Sequence, residues 1–227
     1  MMTYIPAMGL YALISQRTEM TTCTIGFLVF DDVEELDFIG PLEVFNTMAD
    51  IAAKADMGST GKTLFLSLSG KDVTGTRGLP IAVDYGLADA PELDVLCVPG
   101  GGGISRKICN RELLDRIASK APECTWIAGL NSGITLLCAA GLTANKTLAP
   151  HGSTRCSFTG PGPKSAEHAT SAYVRDGNLL TSTGVPAGID LSLWLIGRLH
   201  SIPLALATQR AISHQRQPAN IALAKSL

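Results

Sequence analysis

The chain has 227 residues, of which 46% are hydrophobic, and this is enough for one well-buried core. Its 18 basic and 20 acidic residues give a formal net charge of −2 without forming a basic stripe or a polybasic segment. The absence of such basic clusters argues against binding to nucleic acid or to a lipid surface. We therefore expect a small-molecule substrate, no nucleic acid and no membrane partner.

The spacing of the cysteines and histidines indicates whether the protein binds a metal ion and in which cellular compartment it lies. Six cysteines occur without a C-x-x-C pair, and the four histidines are isolated from one another. We therefore predict reduced thiols, a cytoplasmic protein and no metal site. The apolar stretch from Ile5 to Ile14 has neither the preceding basic residue nor the following cleavage site of a secretory signal, and we expect residues 1–22 to be an N-terminal extension.

The first half of the chain alternates strand and helix patterns. Thr24 to Phe30 is a continuous apolar run, which is typical of a strand buried on both faces of a parallel sheet. Pro41 suits the first position of a helix, and apolar residues then recur at helical spacing as far as Ala53. Thr63 to Leu68 predicts a second strand, and Val73 to Val83 predicts a pair of short antiparallel strands.

The second half continues the alternation. A buried strand from Leu93 to Val98 runs into Pro99 and four glycines, and helices are predicted near 111–119 and 187–199. Asp176-Gly177 supports a tight turn, so the segments on either side of it predict a hairpin. The run Gly100 to Gly103 lacks the dinucleotide fingerprint, because the last required glycine would fall at Ser105, and we predict no cofactor.

This order of elements predicts an α/β fold: a doubly wound, mostly parallel sheet with helices on both faces, as in flavodoxin-like or Rossmann-like sandwiches. We assign residues 23–202 to this domain and residues 203–227 to a C-terminal helical tail. Ligands in such folds bind at the carboxyl ends of the strands, where Asp37, Gly100 and Asn131 are all expected.

Asn131 is the most informative residue. The strand pattern that ends at Leu130 is followed at once by Asn131-Ser132-Gly133 and a helical pattern, which indicates a sharp strand-to-helix elbow. Many α/β enzymes hold a nucleophile on such an elbow, beside free N–H groups of a helix N-terminus. A carboxamide is no nucleophile, but Asn tolerates left-handed backbone, so the turn can persist without attacking chemistry.

Asp37 is a candidate acid or base. It is flanked by Leu36, Phe38 and Ile39, and a carboxyl group held among apolar neighbours has a raised pKa. The alternative is a capping role at the start of the Pro41 helix, where Asp is also favoured.

Other reactive side chains carry weaker signals. His151 could orient a substrate or act as a base, although a single loop histidine is more often structural. Cys138 lies two helical turns after Asn131 and is predicted to point into the core, where a thiol is a poor nucleophile.

Four segments make the chain resemble the ThiJ/PfpI superfamily of class I glutamine-amidotransferase-like proteins, and within it the isocyanide (isonitrile) hydratases. They are Leu36 to Phe45 around the acidic residue, Asp94 to Gly101 with the glycine loop, Ala139 to Leu142 after the elbow, and Thr183 to Asp190. The similarity extends from about Thr24 to Leu199.

The resemblance implies an elbow cysteine as nucleophile, a neighbouring carboxyl group and a homodimer. Asp37 carries over as the acid, and the backbone amides of Ser132 and Gly101 as oxyanion donors. Asn131 occupies the nucleophile's position, and we expect the Ser132 side chain to face a different way from the elbow residue, with no evident base beside it. We predict Asp37 and Asn131 as catalytic residues, and the substrate-binding residues as Gly100, Gly101, Ser132, His151 and Gly184.

Three hypotheses follow. The first is a lyase, hydratase, isomerase or cyclase that uses Asp37 for non-covalent acid–base catalysis. The second is a catalytically inactive protein that binds a metabolite or a protein partner through the same pocket. The third is a cysteine enzyme with a relocated thiol.

Overall fold

The central feature is an eight-stranded sheet. The structure is a computed structural model that describes residues 22–58, 61–150, 164–165, 172–215 and 222–223. The strands of this sheet are β1 (Cys23–Leu28), β2 (Gly61–Ser67), β5 (Tyr85–Gly86), β6 (Val95–Val98), β7 (Trp126–Leu130), β10 (Tyr173–Asp176), β11 (Leu179–Ser182) and β12 (Ala222–Leu223). The intervening short pairs are β3 (Val73–Thr74) with β4 (Pro80–Ile81) and β8 (Thr147–Leu148) with β9 (Lys164–Ser165).

The sheet is mostly parallel, as the sequence predicts. Its spatial order is β12-β10-β11-β7-β6-β1-β2-β5, and only the β10–β11 pair is antiparallel. Parallel order brings the carboxyl ends of β6 and β7 to the same edge, with Val98 opposite Gly129 in the register. This edge carries both the glycine loop and the residue 131 turn.

Helices cover both faces of the sheet. One group contains α1 (Glu35–Lys54), α5 (Val185–Leu199) and α6 (Ile202–Ala211), which pack against one another. The second group contains α2 (Ile104–Lys107), α3 (Arg111–Lys120) and α4 (Ile134–Ala139). Every residue of β6 and β7 is buried, which explains why these strands read as continuous apolar runs. The doubly wound α/β class is therefore confirmed.

Helix α1 begins earlier than the sequence predicts. Pro41 lies inside the helix rather than at its first position, and Asp37 lies in the first turn rather than ahead of it. Proline has no N–H to donate to the carbonyl four residues earlier, which is that of Asp37, but it does not stop the helix here. Acidic residues in the first turn, Glu35 and Asp37, suit the positive end of the helix dipole.

The other predicted elements agree with the structure within a few residues at their ends. The β3–β4 and β10–β11 pairs form the two predicted hairpins, and Gly177 has a φ of 65° in the second. Of the predicted helical tail, α6 is helical, whereas Ala222–Leu223 forms strand β12 beside β10. Among the described residues, no helix combines the length and the apolar character needed to cross a membrane.

Candidate active site

The residue 131 turn is a strand-to-helix elbow. Asn131 follows β7 with a φ of 53°, and a single 3₁₀ turn, Asn131–Gly133, leads directly into α4. Left-handed backbone is accessible to Asn at lower cost than to most residues, which accounts for the residue type. A side chain at Gly133 would overlap the main-chain oxygen of Val98 and approach that of Pro99 to 2.7 Å. The elbow is therefore pressed against the end of β6.

The glycine loop after β6 forms the opposite side of the site. Gly101 has a φ of 139° and forms an isolated antiparallel bridge with Val33. The Glu34 N–H donates to the Gly100 carbonyl at 2.9 Å, which ties this loop to the residues just before α1. A side chain on Gly101 would approach the Glu34 nitrogen to 2.5 Å, so glycine is required for this close approach.

Asp37 joins the elbow to the glycine loop. Its carboxyl group is buried, with 2% of the residue exposed. Oδ1 accepts a hydrogen bond from the Asn131 carboxamide nitrogen at 3.2 Å, and Oδ2 accepts one from the Gly100 N–H at 3.1 Å. The N-cap of α1 is Glu34, and it makes no side-chain capping bond. The Asp37 side chain thus faces the residue 131 turn and does not cap the helix.

Burial raises the pKa of Asp37 from 3.8 to about 6. Loss of hydration is the main cause, because it disfavours the charged carboxylate. The hydrogen bonds from Asn131 and Gly100 lower the pKa, and the negative charge of Glu34 raises it. Asp37 can therefore exchange a proton near neutral pH, which is the property expected of a general acid or base.

Ser132 differs from the sequence expectation. Its Oγ accepts a hydrogen bond from the Gly101 N–H at 3.1 Å, so that amide is engaged by a side chain and is not an open oxyanion donor. A Cβ added at Gly100 would lie within 2.7 Å of both Ser132 Oγ and Asp37 Oδ2, so both oxygens lie beside the same glycine.

Gly184 lies at the N-terminus of α5 and has an extended backbone, with a φ of 170°. A Cβ added there would meet no atom of the described residues within 4 Å. Gly40 lies one helical turn after Asp37 in α1 and packs closely on Ile189 and Val185. The start of α5 therefore lies beside the part of α1 that carries Asp37. The predicted site residue His151 lies outside the described residues.

The described thiols near the sheet are poorly suited to nucleophilic attack. Cys138 is buried, as predicted. Burial raises the pKa of Cys23 to about 12 and that of Cys124 to about 11, and it raises the pKa of Cys97 further. Within the described ranges, no group of three His, Cys, Asp or Glu side chains is arranged to hold a metal ion.

Glu35 is a buried carboxyl group beside the site that sequence patterns do not reveal. This carboxyl group is buried two residues before Asp37, and its Oε1 accepts a hydrogen bond from the Arg77 N–H at 2.6 Å. A side chain at Gly75 would overlap the Glu35 carboxyl, so this carboxyl would have to move if residue 75 were larger. Glu35 thus attaches this hairpin to the first turn of α1. No local sequence signal marks a contact between residues so far apart in the chain.

Comparison with known proteins gives a consistent set of relatives. A model of the DJ-1/PfpI family matches residues 23–197. An isonitrile hydratase of Pseudomonas putida is 32% identical over 197 residues, covering 86% of this chain and 79% of the relative. The HTH-type transcriptional regulator GbdR of Pseudomonas aeruginosa is 28% identical over 85% of this chain, which spans only 51% of the regulator. A crystal structure of a ThiJ/PfpI family protein from Pseudomonas syringae has a TM-score of 0.78 at 27% identity, covering 96% of this chain and 85% of that one.

Proposed function

Because the chain belongs to the DJ-1/PfpI family, we propose that it is a small-molecule hydratase of the lyase type, with Asp37 as its acid–base catalyst and no covalent intermediate. We take isonitriles as the substrate class, since the isonitrile hydratase is similar along most of both chains. The observation that carries the proposal is the placement of Asp37. Its buried carboxyl accepts hydrogen bonds from both the elbow and the glycine loop.

The proposed reaction needs only proton transfers and water. An isonitrile carbon carries a lone pair and can be protonated. Protonation makes that carbon electrophilic, so that water can attack it. The neutral Asp37 carboxyl protonates the carbon, and the resulting carboxylate takes a proton from water as the water oxygen bonds to the same carbon. The product is a formimidic acid, which becomes a formamide when its hydroxyl proton moves to nitrogen. Asp37 ends neutral, ready for a second cycle.

Asn131 has a supporting part in this proposal. We propose that it replaces the elbow cysteine of related enzymes, so that no thioimidate can form. Its carboxamide nitrogen donates to Asp37 Oδ1 and fixes the orientation of the carboxyl group. A carboxamide beside the reacting carbon also supplies a dipole that can stabilise charge as it develops.

The pH dependence tests this function. With cyclohexyl isonitrile as the probe, we expect kcat/KM to be constant well below pH 6 and to fall about tenfold per pH unit above it. The acid step requires neutral Asp37, whose pKa is raised to about 6, so activity is present below that pH and lost above it. The formyl proton of the product, followed by NMR, measures the rate after subtraction of the protein-free reaction. A rate that increases with pH through this range would contradict the acid step.

A second candidate function is metabolite binding without turnover. It is favoured by the relative GbdR, a transcriptional regulator of which this chain spans about half, and by an elbow residue that cannot attack. This function predicts that a metabolite protects the chain against thermal unfolding while no product forms. Such binding, unaffected by replacing Asp37 with asparagine, would favour it over catalysis.

Replacement of Asn131 by cysteine tests the proposed loss of a nucleophile. We expect Asn131→Cys to raise isonitrile hydration at pH 8 at least about tenfold, because Asp37 lies within hydrogen-bonding reach of position 131 and can accept the thiol proton. Asn131→Ala is the matched control and should not gain activity. The contrary outcome is a folded Asn131→Cys variant whose hydration rate is unchanged and whose new thiol is not alkylated rapidly. It would show that the site lacks more than a nucleophile.

A further inference from the structure

A cluster of two tryptophans and two arginines lies at the end of the sheet opposite the candidate active site. The rings of Trp126 and Trp194 meet edge to face, with their centroids 5.3 Å apart. Trp126 is the first residue of β7 and Asn131 follows its last residue, so the cluster and the elbow lie at opposite ends of this strand. Helix α5 agrees with this placement, because Gly184 precedes its first turn and Arg198 lies in its last.

Both arginines lie over the tryptophan rings. The Arg175 guanidinium carbon is 5.2 Å from the centroid of the Trp126 ring and 5.7 Å from that of Trp194. The Arg198 guanidinium carbon is 5.8 Å from the Trp194 ring, and all three distances are short enough for cation–π attraction. Arg175 Nε also donates to the Gly177 carbonyl at 3.0 Å. These contacts restrict the guanidinium groups before any partner binds.

Neither guanidinium group pairs with a carboxylate among the described residues. Each acidic side chain on the segments that carry the cluster has another partner. These pairs are Asp176 with Lys146, Glu123 with Lys120, and Asp190 with His214. A Cβ added at Gly177 would lie 3.2 Å from Lys146 Nζ, so a third cation borders the hairpin turn. This end of the domain therefore presents unpaired positive charge, although the whole chain has a net charge of −2.

The cluster combines the residue types that contribute most to binding at protein interfaces. Tryptophan and arginine are enriched among such residues, since indoles supply apolar area and the guanidinium fork binds a carboxylate through two parallel hydrogen bonds. Trp194 is half-buried and Arg198 is exposed, so a partner can reach both. The two guanidinium carbons lie within 5.8 Å of the same ring centroid, and one short segment can therefore contact both. Guanidinium groups that are already restricted lose less freedom on binding.

We propose that this cluster is a docking site for an acidic segment of a partner protein. Carboxylates of the segment pair with Arg175 and Arg198, and an apolar side chain between them packs on Trp194. The site is separate from the proposed hydratase reaction, because it lies at the other end of β7. Nucleic acid fits the surface less well, since the chain has no basic stripe that could follow a phosphate backbone away from the cluster.

Tryptophan emission makes this site directly observable, because Trp126 and Trp194 are the only two tryptophans of the chain. The probe is a short labelled peptide of glutamate and leucine residues, and its control has glutamine in place of each glutamate. Emission of the full chain reports contact with the cluster, and the anisotropy of the label gives the Kd. We expect the acidic peptide to change the emission and to bind at least about tenfold more tightly than the neutral peptide at low salt, with the difference lost near about 0.5 M salt.

Substitutions of the arginines test the contacts. Arg175→Gln and Arg198→Gln should each weaken binding of the acidic peptide about tenfold, since each removes charge-assisted hydrogen bonds. Arg198→Lys keeps the charge without the planar fork and should recover only part of the affinity. Arg111→Gln is the matched control, because Arg111 is an exposed arginine that pairs with Asp115 on α3, and it should bind the peptide as the parent protein does. Arg198 is itself exposed, so its variants are expected to fold.

Three outcomes would overturn the proposal. The first is an unchanged tryptophan emission up to millimolar acidic peptide at low salt. The second is binding of equal strength in the parent protein, Arg175→Gln and Arg198→Gln, which would place the peptide elsewhere on the surface. The third is an oligothymidylate that binds more tightly than the acidic peptide and depends on the same two arginines, because the cluster would then be a nucleic-acid site.

Discussion

Replacement of Asp37 by asparagine should lower kcat/KM for isonitrile hydration by about 10²- to 10³-fold, the usual contribution of a positioned acid or base. An amide can neither protonate the isonitrile carbon nor accept a proton from water. The bond from the Gly100 N–H can persist to the new amide oxygen, and a flip of the Asn131 carboxamide lets its side-chain oxygen accept from the new amide nitrogen. The measurement is the rate of formamide production at pH 5.5 and at pH 8.

The same substitution should stabilise the fold at alkaline pH. The folded-state pKa of Asp37 is raised from 3.8 to about 6, so the folded chain holds this proton more tightly than the unfolded chain. The stability that the proton contributes is fully present below about pH 4 and is lost as pH rises through 6. Urea unfolding at pH 8 should therefore show a gain of about 3 kcal/mol for Asp37→Asn over the parent, with little difference at pH 4.

Glu43→Gln provides the matched control. Glu43 is an exposed carboxyl on the same helix, and it accepts a hydrogen bond from the Thr47 hydroxyl. It should leave both turnover and the pH dependence of stability unchanged. Unchanged turnover in Asp37→Asn would remove Asp37 from the mechanism. A loss of turnover without a stability gain at pH 8 would mean that the Asp37 carboxyl is better solvated than its burial indicates.

The elements that sequence predicts well are those with local causes. The elbow at residue 131 needs a buried strand, a residue that tolerates a positive φ and a helix start, and all three are adjacent in the chain. The hairpin around Gly177 is equally local. The start of α1 is the counterexample, because Pro41 is a frequent first helical residue and here lies in the interior. Tertiary packing of the first turn outweighs that preference.

The candidate site was predictable in its residue types but not in its contacts. The raised pKa expected for Asp37 followed from its apolar neighbours, and its bond to Asn131 joins residues 94 positions apart. The orientation of the Ser132 hydroxyl has no local sequence signal, because the orientation of a side chain on an elbow depends on the loop that packs against it. Gly100 and Gly101 set that orientation through contacts with no counterpart in local spacing.

Replacement of Gly133 by alanine should produce a larger loss of stability than any other substitution proposed for this protein. The added methyl group would overlap the Val98 carbonyl oxygen and lie within 2.8 Å of the Pro99 carbonyl carbon and oxygen, which are main-chain atoms that cannot rotate away. Relief requires the elbow and the end of β6 to separate, which breaks the contact on which Asp37 and Asn131 depend. We expect a decrease of about 4 kcal/mol or more in the free energy of unfolding, at the upper end for a single substitution.

Gly197→Ala separates this clash from the general effect of adding a methyl group. Gly197 lies within helix α5, and a Cβ there would make only ordinary contacts of 3.8 Å with Ala205 and 3.9 Å with Ile202. Alanine has the higher helix propensity, so this variant should be more stable by about 0.5–1 kcal/mol. Urea unfolding of the two variants gives the comparison. An unchanged urea midpoint for Gly133→Ala would show that the elbow has room to move. The position of residue 131 would then not be fixed by close contact with β6.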